Sequence, residues 1–237
     1  MVFIINPYRY AIAGVVPTFQ DDFSSYADTT AGDAAYPTTN VSRARVNPTN
    51  DDIDINCNNT VFDMNIYHDI GTANISNTWL FRCKLNITAF TSCATPGNVT
   101  RCIITLNSNH ATGEDPVEDA LGISIDYFPS NIFMFGYIMN GGSINRVRTS
   151  TTVVPSVSTF YLQFARVDVN TFDVKIFSNS DYTTQLGSTV TMTISSAYTG
   201  LRYFGIQQFT QITGGQNLVA TLDDIKFYDG ISSLWVK

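Results

Sequence analysis

Charge is scarce in this chain: only 14% of its 237 residues are Asp, Glu, Lys or Arg, where soluble domains usually carry roughly 25%. Just 13 residues are basic against 20 acidic, a net charge of −7. The cationic footprint that releases counterions from nucleic acid is therefore missing, and anionic lipid is excluded with it. No apolar run approaches the roughly 20 residues needed to span a bilayer, so no membrane insertion is expected. The opening Met1-Val-Phe-Ile-Ile-Asn-Pro-Tyr-Arg9 has no basic n-region and is interrupted at Asn6-Pro7; it does not read as a secretory signal peptide. The Glu/Lys/Ala/Leu vocabulary of exposed helices is nearly absent, which excludes a helix bundle.

Cysteine is limited to Cys57, Cys83, Cys93 and Cys102. None forms a C-x-x-C pair or has a nearby His, so no zinc site is expected. Cys57, Cys83 and Cys102 share the apolar phase of alternating segments, as buried free thiols do. A disulfide is the alternative, with Cys93, in the loop before Cys102, the best placed to bridge or react.

What is present is apolar and β-prone: 44% hydrophobic and 13% aromatic residues, enough to offset the ordering entropy that keeps polar chains disordered. Period-two alternation or short runs rich in Val, Ile, Thr, Phe and Tyr predict strands over residues 52–57, 61–70, 78–90, 101–107, 122–128, 132–138, 160–169, 172–177, 189–194, 201–209 and 219–228. Turn chemistry fills the gaps at Asn140-Gly-Gly142, Asn170-Thr171 and Gly214-Gly215. The strongest expected hairpin joins 160–169 to 172–177, although its turn lacks glycine. Helical turns are expected only at 31–36 and 115–120. The predicted fold class is all-β: an antiparallel two-sheet β-sandwich or jelly roll with an extended N-terminal arm. Residues 1–18, punctuated by Pro7, Gly14 and Pro17, form the arm; residues 19–237 show no linker and form one domain.

Three segments resemble a known family. Asp21-Asp-Phe-Ser-Ser-Tyr26, Ile75-Ser-Asn-Thr-Trp79-Leu-Phe-Arg-Cys-Lys-Leu-Asn-Ile87 and Leu222-Asp-Asp-Ile-Lys-Phe-Tyr-Asp-Gly230 are similar to concanavalin A-like lectin/glucanase domains of the laminin-G-like type. So is the hairpin beginning Phe160-Tyr-Leu-Gln-Phe and continuing through Val174 to Tyr182. The resemblance implies a jelly roll whose first and last strands lie side by side. It also implies a structural calcium where the last strand meets the N-terminal segment, with Asp223 at the acidic position and Asp22 and Asp224 as neighbours; calcium takes such oxygen ligands. Separately, Phe3-Ile-Ile-Asn-Pro-Tyr8 resembles the opening of tailed-phage structural proteins.

The family includes glucanases, and glycoside cleavage needs two carboxyl groups flanking the scissile bond. No strand carries the E-x-D-x-x-E run that places them on one face. Glu114-Asp115 and Glu118-Asp119 flank Pro116 in a polar segment that reads as a solvated loop. His68 and His110 read as surface histidines, and neither a G-x-S-x-G elbow nor a phosphate-cradling glycine loop is present. The expectation is that the chain is not an enzyme. Tyr36, Tyr67, Tyr127, Tyr137, Tyr198 and Trp235 are available to stack on sugars, but aromatics also fill sandwich cores, so glycan-binding residues are unassigned. Sequons at Asn40, Asn58, Asn74, Asn86 and Asn98 are expected to be unmodified without a secretory signal.

The expected function is a virion structural protein, a capsid decoration or tail/fibre component. It would be held to other virion proteins through residues 1–18, form a homo-oligomer, and expose its lectin-like sandwich to host-surface glycan. The expected location is the particle surface. A freestanding carbohydrate-binding module is the alternative, with a polysaccharide-degrading enzyme behind it.

Overall fold

In the computed structural model, residues 15–58, 64–71, 75–91, 99–109, 119–128, 131–140, 143–148, 158–194, 198, 200–211 and 217–234 are described. Their elements are β1 (Phe19–Asp21), α1 (Thr29–Ala35), β2 (Ala44–Asn47), β3 (Asp52–Asn58), β4 (Asn65–Asp69), β5 (Trp79–Thr91) and β6 (Val99–Asn107). Then follow β7 (Ala120–Phe128), β8 (Asn131–Asn140), β9 (Ser143–Arg148), β10 (Ser158–Arg166), β11 (Thr171–Phe177), β12 (Val190–Thr193), β13 (Tyr203–Gln211) and β14 (Asn217–Asp229).

The strands form two antiparallel sheets. One has eight strands in the order β12-β11-β10-β5-β14-β3-β2, with β1 also on β14; the other has six in the order β4-β13-β6-β7-β8-β9. All eleven segments predicted as strands appear, and the helical turn predicted at 31–36 is α1. The first and last strands are neighbours, Phe19 facing Phe227 and Asp21 facing Ile225. Residues 15–18, assigned to the arm by sequence, already lie against the sandwich: Thr18 N–H donates to Phe227 O at 2.7 Å, and Val15 packs on Leu80, Ala165 and Tyr228.

Alternation explains why the sheets pack. Phe81, Phe164 and Phe227 of the eight-stranded sheet and Ile104, Ile123 and Phe204 of the six-stranded one all face the interior, as period two requires. Phe81 stacks on Phe164 at 4.6 Å and on Phe204 at 5.4 Å between centroids, linking the sheets. Each such pair contributes about 0.5–1.5 kcal/mol beyond area burial. Cys57, Cys83 and Cys102 are free thiols in this core, and burial pushes the Cys83 thiol upward. Cys93 lies outside the described residues.

The glycine-free hairpin turn is built by side chains. Asn170 N–H donates to Asp168 Oδ1 at 2.7 Å, and Val167 N–H to Thr171 O at 2.8 Å, an Asx-type closure that supplies the turn without glycine.

Candidate functional site

The residues expected to hold calcium lie along the seam where β1 ends against β14. A cleft of about 290 Å³ is lined there by Gln20, Asp21, Asp22, Ser25, Asp224 and Lys226, among others. A bulge in β14 between Asp223 and Lys226 turns Asp223 and Asp224 apart, with Asp224 at φ +53°, where a non-glycine residue is strained. Asp223 extends to Lys84 Nζ at 2.9 Å, while Asp224 Oδ1 lies 2.5 Å from Lys226 Nζ. Asp22 Oδ1 accepts from the Ser24 hydroxyl at 2.7 Å and its N–H at 3.2 Å, bonds that hold its carboxyl below the usual range. Asp22 and Asp224 thus share the cleft and Asp223 does not line it. Among the described residues no three His, Cys, Asp or Glu side chains are grouped as metal ligands would be. Calcium does not fit this arrangement as a three-aspartate site, because two lysines already neutralise two of the carboxylates.

Asp21, one residue earlier, has a structural task. Its Oδ2 accepts from Tyr26 at 2.6 Å and Tyr36 at 2.9 Å, and its Oδ1 from Phe23 N–H at 2.8 Å. His68 is not a solvated surface histidine: it lies between Phe19 and Tyr36, centroids at 4.9 and 4.4 Å, with Nδ1 2.7 Å from Ala35 O. The stacking that organises the N-terminal segment leaves it half-buried.

A second constellation occupies the outward face of the six-stranded sheet. Cross-strand register sets Asn65 of β4 beside Gln207 of β13, Ile103 of β6, Ser124 of β7 and Phe135 of β8. The next row runs Tyr67, Gly205, Thr105, Gly122 and Tyr137. Asn65, Gln207, Thr105, Asn107, Ser124 and Asp126 are polar yet buried, each 4% exposed or less, and none belongs to the interior core. Thr105 Oγ1 pairs with Asn107 Oδ1 at 2.8 Å and Ser124 Oγ with Asp126 Oδ1 at 2.5 Å. Gly205 makes room for this layer: a Cβ there would come within 2.7 Å of Asn107 Nδ2. Both amide atoms of Asn65, and Gln207 Oε1, are buried without a hydrogen-bond partner, a costly state for polar groups.

Partly exposed aromatics flank this floor. On the β4–β13 side Tyr67 meets Tyr203 edge-on at 6.4 Å. Arg202 Nε donates to Asp69 Oδ1 at 2.7 Å and its Nη2 to Asp69 Oδ2. This pair holds the Asp69 carboxyl below its ordinary value and raises the Arg202 guanidinium. On the β8 side Phe133 and Phe135 lie 6.3 Å apart. Three to four inter-strand steps of about 4.8 Å put the aromatic pairs roughly 14–19 Å apart.

Of the aromatics singled out in the sequence, Tyr67 lies on this rim, whereas Tyr36, Tyr137 and Tyr198 are buried. The side chains of Tyr127 and Trp235, like His110, Glu114, Asp115, Glu118 and residues 1–14, lie outside the described residues. No helix of the described residues is long and apolar enough to cross a membrane.

No family model matches the sequence, and no curated protein is significantly similar to it. Similar solved structures exist. The CBM2 module, a carbohydrate-binding module, of the evolved Dit of Lactobacillus casei BL23 phage J-1 matches at TM-score 0.56 and 10% identity, over 92% of this chain and 97% of that one. A legume lectin-like domain from Entamoeba histolytica matches at 0.50 and 13%, over 92% and 99%. An engineered GH43 glycoside hydrolase matches at 0.52 and 12%, over 95% of this chain but only 43% of that one.

The last likeness corrects the expectation that the chain is not an enzyme: a glycoside hydrolase contains this architecture. That expectation leaned on the absence of an acidic run along one strand. A sheet can also bring carboxylates together from different strands. At 12% identity the likeness is one of fold and transfers no activity. The fold of this chain is a concanavalin A-like jelly roll, an architecture it shares with a phage carbohydrate-binding module and a lectin-like domain.

Proposed function

We propose that this chain is a glycan-binding sandwich of a phage particle, taking sugar across the outward face of the six-stranded sheet. The observation that carries this reading is the two partly exposed aromatic pairs, Tyr67–Tyr203 and Phe133–Phe135, at the edges of a buried polar layer of Asn65, Gln207, Thr105 and Ser124. Partly exposed aromatic faces match the apolar faces of pyranose rings. The likeness to a module of a phage protein supports the virion setting. In that setting residues 1–18 attach the sandwich to other virion proteins, and repeated copies follow the particle's symmetry as a homo-oligomer.

The test is a glycan array probed with the full chain, followed by calorimetric titration of the best hit into Tyr67→Ala and Phe135→Ala. Each substitution is expected to weaken binding about tenfold, the equivalent of about 1.4 kcal/mol, without changing the melting temperature by more than a few degrees. Unchanged affinity in both variants overturns the sheet-face site. Absence of the chain from purified particles overturns the virion setting and leaves a freestanding module.

A further inference from the structure

The outer face of the eight-stranded sheet carries a second feature, which the glycan site does not use. Register aligns Gln20, Lys226, Arg82, Gln163 and Lys175 across β1, β14, β5, β10 and β11. Their chain neighbours Phe81, Phe164, Val174, Ile225 and Phe227 point into the core, so these five point away from it. Three cations in one row are notable in a chain with only 13 basic residues.

Arg82 sits at the centre of the row and is 8% exposed. Its Nε donates to Gln163 Oε1 at 2.9 Å, and its Cζ lies 4.0 Å from the centre of the Tyr182 ring. Tyr182 reaches this position from the loop after β11, where its own backbone is held at φ +56°. The loop is pinned by Asn179 Oδ1, which accepts from the N–H groups of Thr183 and Thr184 at 3.1 and 2.9 Å.

Four cations of the sandwich have carboxylate partners: Arg45 with Asp33, Lys84 with Asp223, Arg202 with Asp69 and Lys226 with Asp224. The buried Arg166 is satisfied by three backbone carbonyls. Arg82 has neither. Among the described residues no carboxylate lies within ion-pair distance of it, and its two Nη groups have no hydrogen-bond acceptor. Neither Nη is among the sealed, unpartnered atoms of the protein, so both keep contact with solvent. A nearly buried cation thus presents the end-on fork of its guanidinium outward, its side-on edge being occupied by Gln163. Burial lowers its proton affinity, against the opposing effect of Tyr182 and Tyr228, yet an arginine stays charged throughout the accessible pH range.

We propose that Arg82 is a second ligand site, on the sheet opposite the glycan floor, for a carboxylate. Two parallel N–H···O bonds from Nη1 and Nη2 satisfy the fork end-on. Tyr182 covers one face of the guanidinium, so a planar acceptor coplanar with it is accommodated more readily than a tetrahedral one. Lys175 adds positive potential on the β11 side, while Lys226 on the other side is already paired with Asp224.

The test uses the full chain with sodium glucuronate, sodium acetate, glucose and inorganic phosphate as probes, read by the arginine Nε–H resonances in 1H–15N spectra. Glucuronate is expected to shift the Arg82 resonance saturably while glucose does not. Acetate matching glucuronate identifies the carboxylate alone as the ligand; tighter binding of glucuronate identifies an acidic sugar. Arg82→Lys keeps the charge but loses the fork, and is expected to weaken binding at least about tenfold. The wild-type shift decides the matter even where that variant folds poorly. Phosphate outcompeting both carboxylates, or no saturable shift with either, overturns the proposal. Tyr67→Ala and Phe135→Ala leave Arg82 binding unchanged, so this site and the glycan floor stand or fall separately.

Discussion

Arg166 Nη1 donates to the Tyr198 carbonyl at 2.6 Å from a position that is only 1% exposed. The same guanidinium reaches Asp168 O at 3.3 Å and Val169 O at 3.1 Å, tying the β10–β11 turn to the segment entering β13. A buried cation is tolerated here because carbonyl dipoles replace its hydration. Arg166→Met leaves three carbonyls without that donor and is expected to cost on the order of 3 kcal/mol, a fall in melting temperature of roughly 6–12 °C. Arg166→Lys, with one ammonium in place of the fork, recovers less than half of the loss. Thermal melts of the two variants check both statements.

Asp52 gives the fold an unusual dependence on pH. Its carboxyl is 9% exposed and is pushed up to about 6, by burial first and then by Asp54 and Asp223, against Thr221 and Lys84. The folded state therefore takes up a proton that an unfolded aspartate, near 3.8, has released. The stability this proton supplies is lost as pH rises from about 4 through about 6, on the order of 1–3 kcal/mol. Asp22, Asp69 and Asp168 are held down instead, so their contribution is present above about pH 4 and is lost on acidification. Urea melts between pH 4.5 and 7.5 are expected to show stability declining with pH, and Asp52→Asn is expected to flatten the decline.

The strands were legible because burial on one face forces period two, and that pattern is local. The three strands missed, β1, β2 and β9, are short or interleave Arg, Asn and Ser with few apolar positions, as in Ala44-Arg-Val-Asn47. The seam was anticipated from Asp22 and Asp223, but β14's bulge was not, since nothing local in Leu222-Asp-Asp-Ile225 marks the extra residue. The polar layer on the outward face of the six-stranded sheet escaped for a different reason. Alternation tells which side of a sheet a residue faces but not whether that position is covered, so the burial of Asn65 and Gln207 is not legible in the sequence. Their juxtaposition comes from pairing between distant segments. Arg82 in Phe81-Arg-Cys83 reads equally plainly, and only the Tyr182 loop makes it a buried cation.

Gly136 packs closely against β12. A Cβ there would lie 2.5 Å from Met192 Sδ and 3.4 Å from Val190 Cγ1. Gly136→Ala is expected to cost about 1 kcal/mol, because the Met192 thioether can swing aside, and Gly136→Val about 2–3 kcal/mol, because it cannot swing far enough. Shortening the obstacle relieves the clash: Gly136→Val combined with Met192→Ala is expected to be less destabilised than the sum of the single variants, a coupling measurable by denaturant melts.

Tyr36 provides a spectroscopic reading of how tightly the N-terminal segment is closed. Its ring is 0% exposed and its hydroxyl donates to Asp21 Oδ2 at 2.9 Å. Burial first, and then the Asp21 carboxylate, raise its ionisation far above the ordinary tyrosine value of 10. Deprotonation would place two negative charges in hydrogen-bond contact away from water, so the phenol ionises only when the segment opens. Ultraviolet titration at alkaline pH is therefore expected to give superimposable curves for the wild type and Tyr36→Phe until the protein unfolds. A missing increment near pH 10 in the variant would show the segment open in the native state. Tyr36→Phe also removes one of two hydroxyl donors from Asp21 Oδ2, at an expected cost of about 1–2 kcal/mol.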